Sequence, residues 1–223
     1  MSNESVQTTL SQHRLVPVIV LEGADDAIPL AERLIAGGLP IAEVTFRTDA
    51  AAESIRRMTT VPGLHVGAGT VLSVSQADEA IDAGATFVVA PGFNPKVVRH
   101  CIDKGVPIIP GVSNPTDIEM GIDHGLALLK FFPAEAIGGV KLLRAIAAPY
   151  RGIEFVPTGG ISPDNLPRYL ELASVVACGG SWMVPPTLIK AKDFGAVERL
   201  VREAVSLVSN ICPASKKGGK PIG

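Results

Sequence analysis

The chain has 223 residues, of which 47% are hydrophobic but only 4% aromatic, and its formal net charge is −2. That is enough apolar material for a large core of Val, Ile, Leu and Ala, at a length that suits one α/β barrel. The near balance of charge, with a pI near 6.1 and no patch of Lys and Arg in the body of the chain, speaks against a nucleic-acid surface, which would be basic.

Taken in chain order, the elements alternate. The opening "MSNESVQTTLSQHRL" lacks a basic start followed by a long apolar run, so no signal peptide is expected, and residues 3–13 read as an extra helix before the first strand. Short β-rich apolar runs begin near Val16, Ile41, His65, Thr86, Val106, Leu126, Ile153 and Ser174, roughly 20–27 residues apart. The first, "VPVIVLEG", is far too short to cross a membrane. Between the runs lie helical segments such as "DDAIPLAERLIAGG", "SQADEAIDAGA", "NPKVVRHCIDKG" and "NPTDIEMGIDHG", several opening on a capping Asp, Asn or Ser and closing on Gly. "DFGAVERLVREAVSLV" supplies the eighth helix. The final "PASKKGGKPIG" is rich in Pro, Gly and Lys and is expected to be mobile.

Strand–helix alternation implies parallel strands. Eight such units predict a single-domain (β/α)8 TIM barrel over residues 1–212, with 213–223 as a flexible tail. A doubly wound open sheet is the competing architecture, but no GxGxxG turn follows the first strand. The three cysteines, Cys101, Cys178 and Cys212, have no CxxC spacing. Such an odd, sparse set speaks against a disulfide framework or a zinc site, and a reducing, cytoplasmic setting is expected. The four histidines show no HxxxH or HExxH spacing, and no metal or cofactor is expected.

Parity along the strands then selects the polar residues that enter the barrel. In "IAEVTFR", alternation puts Glu43, Thr45 and Arg47 on one face, and Ala42, Val44 and Phe46 on the other. The outer face of a barrel strand packs on helices and must be apolar, so Glu43 and Arg47 are expected inside. In "GLALLKFFPAE", Leu129 and Phe131 share the helix-facing side, and Lys130 shares the inner side with Leu128 and Phe132. Lys130 is the only lysine set within a long apolar run. A bland reading is available for each: a structural ion pair, or a lysine neutralised by Glu43 for stability alone.

Further groups end the other strands: Thr70, then Pro91 and Gly92, then Thr158, Gly159 and Gly160, then Gly179, Gly180 and Ser181. Barrel active sites lie at this end, and the last two loops often bind phosphate. Glycines let the backbone approach an anion closely. Burial among apolar groups, close to an arginine, disfavours the ammonium form of a lysine. A neutral amine adds to ketones and gives a Schiff base, which needs a proton-shuttling carboxylate such as Glu43 and a cation or hydroxyl for a substrate carboxylate, such as Arg47 and Thr70.

The same residues carry a family resemblance. "PVIVLEGADDAIPLAERLIAGGLPIAEVTFRT", "VGAGTVL", "FVVAPGFNPKVV", "PIIPGVSNPTDIEMGIDHG", "LLKFFPAEAIGGVKLLRAIAAPY", "FVPTGGIS" and "VVACGGSWMV" together resemble the 2-dehydro-3-deoxy-6-phosphogluconate (KDPG) and 4-hydroxy-2-oxoglutarate (KHG) aldolases over nearly the whole barrel. "EVTFRT" and "KFFPAE" are the most specific segments. The resemblance implies a homotrimeric (β/α)8 barrel with class I, Schiff-base chemistry. It implies Lys130 as the Schiff-base lysine and Glu43 as the general acid/base. Arg47 and Thr70 would hold the pyruvate carboxylate, with Pro91 and Phe132 lining the pyruvyl pocket. Thr158, Gly159, Gly160, Gly180 and Ser181 would handle the distal, phosphorylated part of the substrate. The implied reaction is reversible cleavage of KDPG to pyruvate and D-glyceraldehyde 3-phosphate, with no nucleic-acid or membrane partner. KHG or the galactonate-derived isomer is the alternative substrate. A non-catalytic sugar-phosphate-binding barrel and a metal-dependent aldolase are the readings from other classes.

Overall fold

The computed structural model describes residues 3–211. Cys212 and the segment 213–223, the expected mobile tail, lie outside the described residues. The chain runs α1 (Asn3–His13), β1 (Leu15–Ile19), one 3-10 turn (Ala24–Asp26), α2 (Ala27–Ala36), β2 (Ile41–Thr45), α3 (Ala51–Met58), β3 (His65–Gly69), α4 (Val74–Asp82), β4 (Phe87–Val89) and α5 (Pro95–Asp103). It continues β5 (Ile108–Ile109), β6 (Gly111–Val112), α6 (Pro115–Asp123), β7 (Leu128–Phe131), α7 (Gly139–Ala147), β8 (Glu154–Pro157), α8 (Leu166–Leu170), β9 (Cys178–Gly180), α9 (Pro186–Lys190) and α10 (Phe194–Ile211).

Every strand pairing is parallel. The strands form one run ordered β5-β4-β3-β2-β1-β9 and a second ordered β6-β7-β8. The fifth predicted strand is therefore two short pieces flanking Pro110, whose missing N–H interrupts the ladder. One piece pairs with β4 and the other with β7. Isolated parallel bridges, Phe155 to Val175 and Thr158 to Gly179, link β8 to the segment that carries β9. The result is a curled parallel sheet under helices, an α/β fold of the TIM type.

Local sequence explains the helix starts. Ser73, Asn94 and Asn114 each accept a hydrogen bond from a first-turn N–H, of Gln76, Lys96 and Asp117 respectively, as good N-caps do. Asp26 precedes α2 without a side-chain cap bond. The helix layer meets itself where α10 packs on α2. A Cβ at Gly37 would sit 2.5 Å from the Val201 side chain, and Arg33 pairs with Glu198 at 3.1 Å. Helix α9 has no counterpart among the expected segments, although Pro186 stands at its first turn, where proline is favoured.

The strands bring few aromatic side chains to the core, Phe87, Phe131 and Phe155 being the ones among fully buried strand residues. On α1, Val6 and Leu10 are buried against the core, and the Gln7 amide donates to the Glu154 carboxylate at the start of β8. Helix α1 therefore lies across the N-terminal ends of the strands, and the C-terminal ends are left for loops.

Candidate active site

The parity reading of β7 meets its test at Gly121 of α6. A Cβ placed there would lie 2.9 Å from Leu129 Cδ2, so Leu129 faces the helices. Lys130 points the other way. Its neighbours in register are Gly111 on β6 and Val156 on β8.

Lys130 Nζ donates to Glu43 Oε1 at 3.3 Å. The two residues are only 5% and 3% exposed, so this pair is shielded from water. They share a small internal cavity with Leu10, Val16, Phe87 and Thr158. Leu10 of α1 floors it, and the rest of its wall is mainly apolar. Taking two charges into such surroundings costs several kcal/mol, of order that for each ion, unless they meet each other or other partners. A single contact at 3.3 Å offsets part of that cost, so stability alone is a poor reason for the arrangement. Lys130 Nζ also stands 5.2 Å from the centroid of the Phe132 ring.

Glu43 reaches this position because β3 offers no side chain beside it. A Cβ at Gly69 would fall 2.3 Å from Glu43 Oε1. A second close approach seats Pro91. A Cβ at Gly111, the register neighbour of Lys130, would lie 2.1 Å from the Pro91 carbonyl oxygen.

The remaining predicted residues ring the C-terminal ends. Thr70, directly after β3, has φ +57°, a conformation that costs a non-glycine residue of order 1 kcal/mol and is found at functional sites. Thr158 is buried at the end of β8, and Gly159 and Gly160 follow it. Gly180 ends β9 with the Trp182 ring across it, since a Cβ there would overlap the ring at 1.7 Å. Ser181 is exposed beside it. Nothing in the sequence pattern singles out Trp182.

Arg47 differs from its expected placement. Strand β2 ends at Thr45, and the Arg47 N–H turns back to the Thr45 carbonyl. The alternation that put Arg47 inside therefore stops two residues short of it. Arg47 is exposed, in a rim cleft with Thr48, Asp49, Gln76 and Glu79. Among the described residues no hydrogen bond or ion pair joins it to Glu43 or Lys130.

Other nucleophiles lack the right setting. Burial pushes the Cys101 thiol up to about 11 and raises that of Cys178 further, so neither supplies a thiolate near neutral pH. Among the described residues no group of three or more His, Cys, Asp or Glu side chains is arranged to hold a metal ion. No helix among them is long and apolar enough to cross a membrane. What the site offers is an amine, a carboxylate in contact with it, and a rim of backbone amides and polar side chains.

Comparison with known proteins agrees with that inventory. The family model described as KDPG and KHG aldolase matches residues 6–200. A 2-dehydro-3-deoxy-phosphogluconate aldolase of Treponema pallidum (strain Nichols) is 50% identical over 200 residues, covering 89% of this chain and 95% of the relative. The 2-keto-3-deoxy-6-phosphogluconate aldolase of Zymomonas mobilis ZM4, solved with 3-phosphoglycerate, superposes with a TM-score of 0.87 at 41% identity, covering 92% of this chain and 97% of that one. The KDPG aldolase of Legionella pneumophila, solved with pyruvate captured at low pH as a covalent carbinolamine intermediate, gives 0.86 at 36% identity, covering 89% and 97%. The resemblance read from the motifs is thus borne out, and the chain belongs to the KDPG and KHG aldolase family.

Proposed function

We propose that this chain cleaves KDPG reversibly to pyruvate and D-glyceraldehyde 3-phosphate by class I chemistry. The observation that carries the reading is the Lys130–Glu43 contact inside an apolar cavity. In this reading the free amine of Lys130 adds to the C2 ketone, and Glu43 supplies the proton with which the carbinolamine loses water. The resulting iminium is an electron sink. The Glu43 carboxylate, through a water, takes the C4 hydroxyl proton as the C3–C4 bond breaks, and the bonding pair moves into an enamine. Glyceraldehyde 3-phosphate leaves as the aldehyde. Protonation at C3 and addition of water release pyruvate and return the amine.

The other roles follow position. Arg47 and Thr70 hold the substrate carboxylate, Arg47 by turning in from the rim. Pro91 and Phe132 line the pyruvyl pocket. Thr158, Gly159, Gly160, Gly180 and Ser181 take the phosphorylated end. The two glycine-rich turns favour a phosphorylated substrate over KHG. We further read the described residues as one closed (β/α)8 barrel. In it β5 and β6 count as one interrupted strand, the β8–β9 bridges form the seam, and α1 stands outside the eight units. Homotrimeric assembly is part of the proposal, on family grounds. The test is pyruvate release from KDPG against KHG and the galactonate-derived isomer. A higher kcat/KM for KDPG is expected. Failure to cleave any of the three would refute the reading.

A further inference from the structure

The turn after β8 is held more firmly than its glycines suggest. Three successive carbonyls are occupied by donors from the protein. Ala134 N–H donates to Thr158 O at 2.8 Å and Glu135 N–H to Gly159 O at 3.0 Å. Asn165 Nδ2 donates to Gly160 O at 2.9 Å. The other end of the Asn165 amide accepts from Ser162 N–H, also at 2.9 Å. Asn165 is 8% exposed, so its amide is committed to this turn rather than to solvent.

A trans peptide is planar, and its N–H points opposite to its C=O. Fixing the carbonyls of Gly159 and Gly160 therefore fixes the N–H groups of Gly160 and Ile161, turned away from those donors. Among the described residues no hydrogen bond uses either N–H. Adjacent backbone N–H groups aimed at one place form an anion-binding concavity.

What holds the donors is a hydrogen-bonded pair whose phenol is buried and whose carboxylate side chain is exposed. The Tyr169 hydroxyl donates to Glu135 Oε1, and Tyr169 is fully buried on α8. The Glu135 stem is pressed against the turn. A Cβ at Gly160, where φ is +82°, would come within 2.7 Å of Glu135 Cβ. Gly139 leaves room for the pair itself, because a Cβ there would sit 3.0 Å from Glu135 Oε1 and 3.3 Å from the Tyr169 hydroxyl. Burial raises the Tyr169 pKa, so the phenol stays protonated, and a donor, at working pH.

We propose that Glu135, Tyr169 and Asn165 are positioning residues. They clamp the Gly159–Gly160 turn so that its amides stand ready for the phosphate of the substrate, and they touch neither the reacting carbons nor Lys130. This rests on the proposed function, in which that turn takes the phosphorylated end. It goes beyond it by locating phosphate selectivity in side chains behind the turn.

The experiment compares KDPG with unphosphorylated KHG. Tyr169→Phe should raise KM for KDPG by about fivefold to tenfold, the worth of one hydrogen bond. It should leave kcat for KDPG and kcat/KM for KHG within about twofold. Glu135→Ala should match it, the double variant should be no worse than either single one, and Glu135→Gln, which keeps an acceptor for the phenol, should restore KDPG binding. Equal losses on both substrates, or no change in KM for KDPG, would overturn the proposal. A Glu135→Gln variant as weak as Glu135→Ala would also overturn it, since charge rather than positioning would then matter. If the unmodified chain cleaves KHG but not KDPG, the parent reading fails instead, and the two failures are distinguishable.

Discussion

The buried pair and the rim of the same site are built on opposite principles. Lys130 and Glu43 lie 3.3 Å apart and are almost wholly shielded from water. Arg47, Gly160 and Ser181, a few residues beyond the strand ends, are exposed. Under the proposed function, the difference separates two tasks. Bond making needs a free amine and a carboxylate at fixed distance, with bulk water kept away, and a low-dielectric interior provides that setting. Capturing an anionic substrate needs groups that meet it in water and exchange solvent for ligand. Changes to the pair are therefore expected to act on kcat, and changes to the rim on KM.

The largest expected effect breaks the inner half. Glu43→Gln keeps size and packing but removes the proposed base, and should lower kcat for KDPG by about a hundredfold to ten-thousandfold. Steady-state kinetics, with circular dichroism as a check on folding, would measure it. A preserved kcat would mean that Glu43 is only a counter-charge. Next comes Gly69→Ala, which introduces a Cβ where the Glu43 carboxylate now sits. Displacing that oxygen by about 1 Å should lower kcat about a hundredfold with little change in KM. The smallest effect sharpens the outer half. Arg47→Ala should raise KM for KDPG about tenfold while kcat holds within a few-fold, as for loss of one charged hydrogen bond. A fall in kcat equal to that of Glu43→Gln would place Arg47 in the chemistry and erase the division.

The inner half is the more legible in sequence, for a physical reason. Side chains alternate strictly along a strand, so one assumption, apolar residues toward the helices, sets the directions of Lys130, Leu129 and Glu43 together. Alternation ends where the strand ends, and this is why the same count wrongly places Arg47, two residues past Thr45, inside. Proline is the other source of error. Pro110 in "PIIPGV" carries its own warning, yet periodicity alone reads one strand across it. The clamp behind the Gly159–Gly160 turn is not legible. Glu135 and Tyr169 lie 34 residues apart, on different loop and helix segments, and only the closing of β7 beside β8 brings them together. Asn165 gives a local signal, a helix-cap residue, but its side chain serves the preceding turn instead.

Under the proposed function, the division between pair and rim depends above all on one bond, from the amine of Lys130 to the substrate ketone. Borohydride reduction in the presence of pyruvate, followed by peptide mass spectrometry, tests it directly. Loss of activity is predicted, together with one reduced pyruvyl adduct mapped to Lys130. An adduct on another lysine, or an enzyme that still cleaves KDPG after such treatment and carries no adduct, would contradict it.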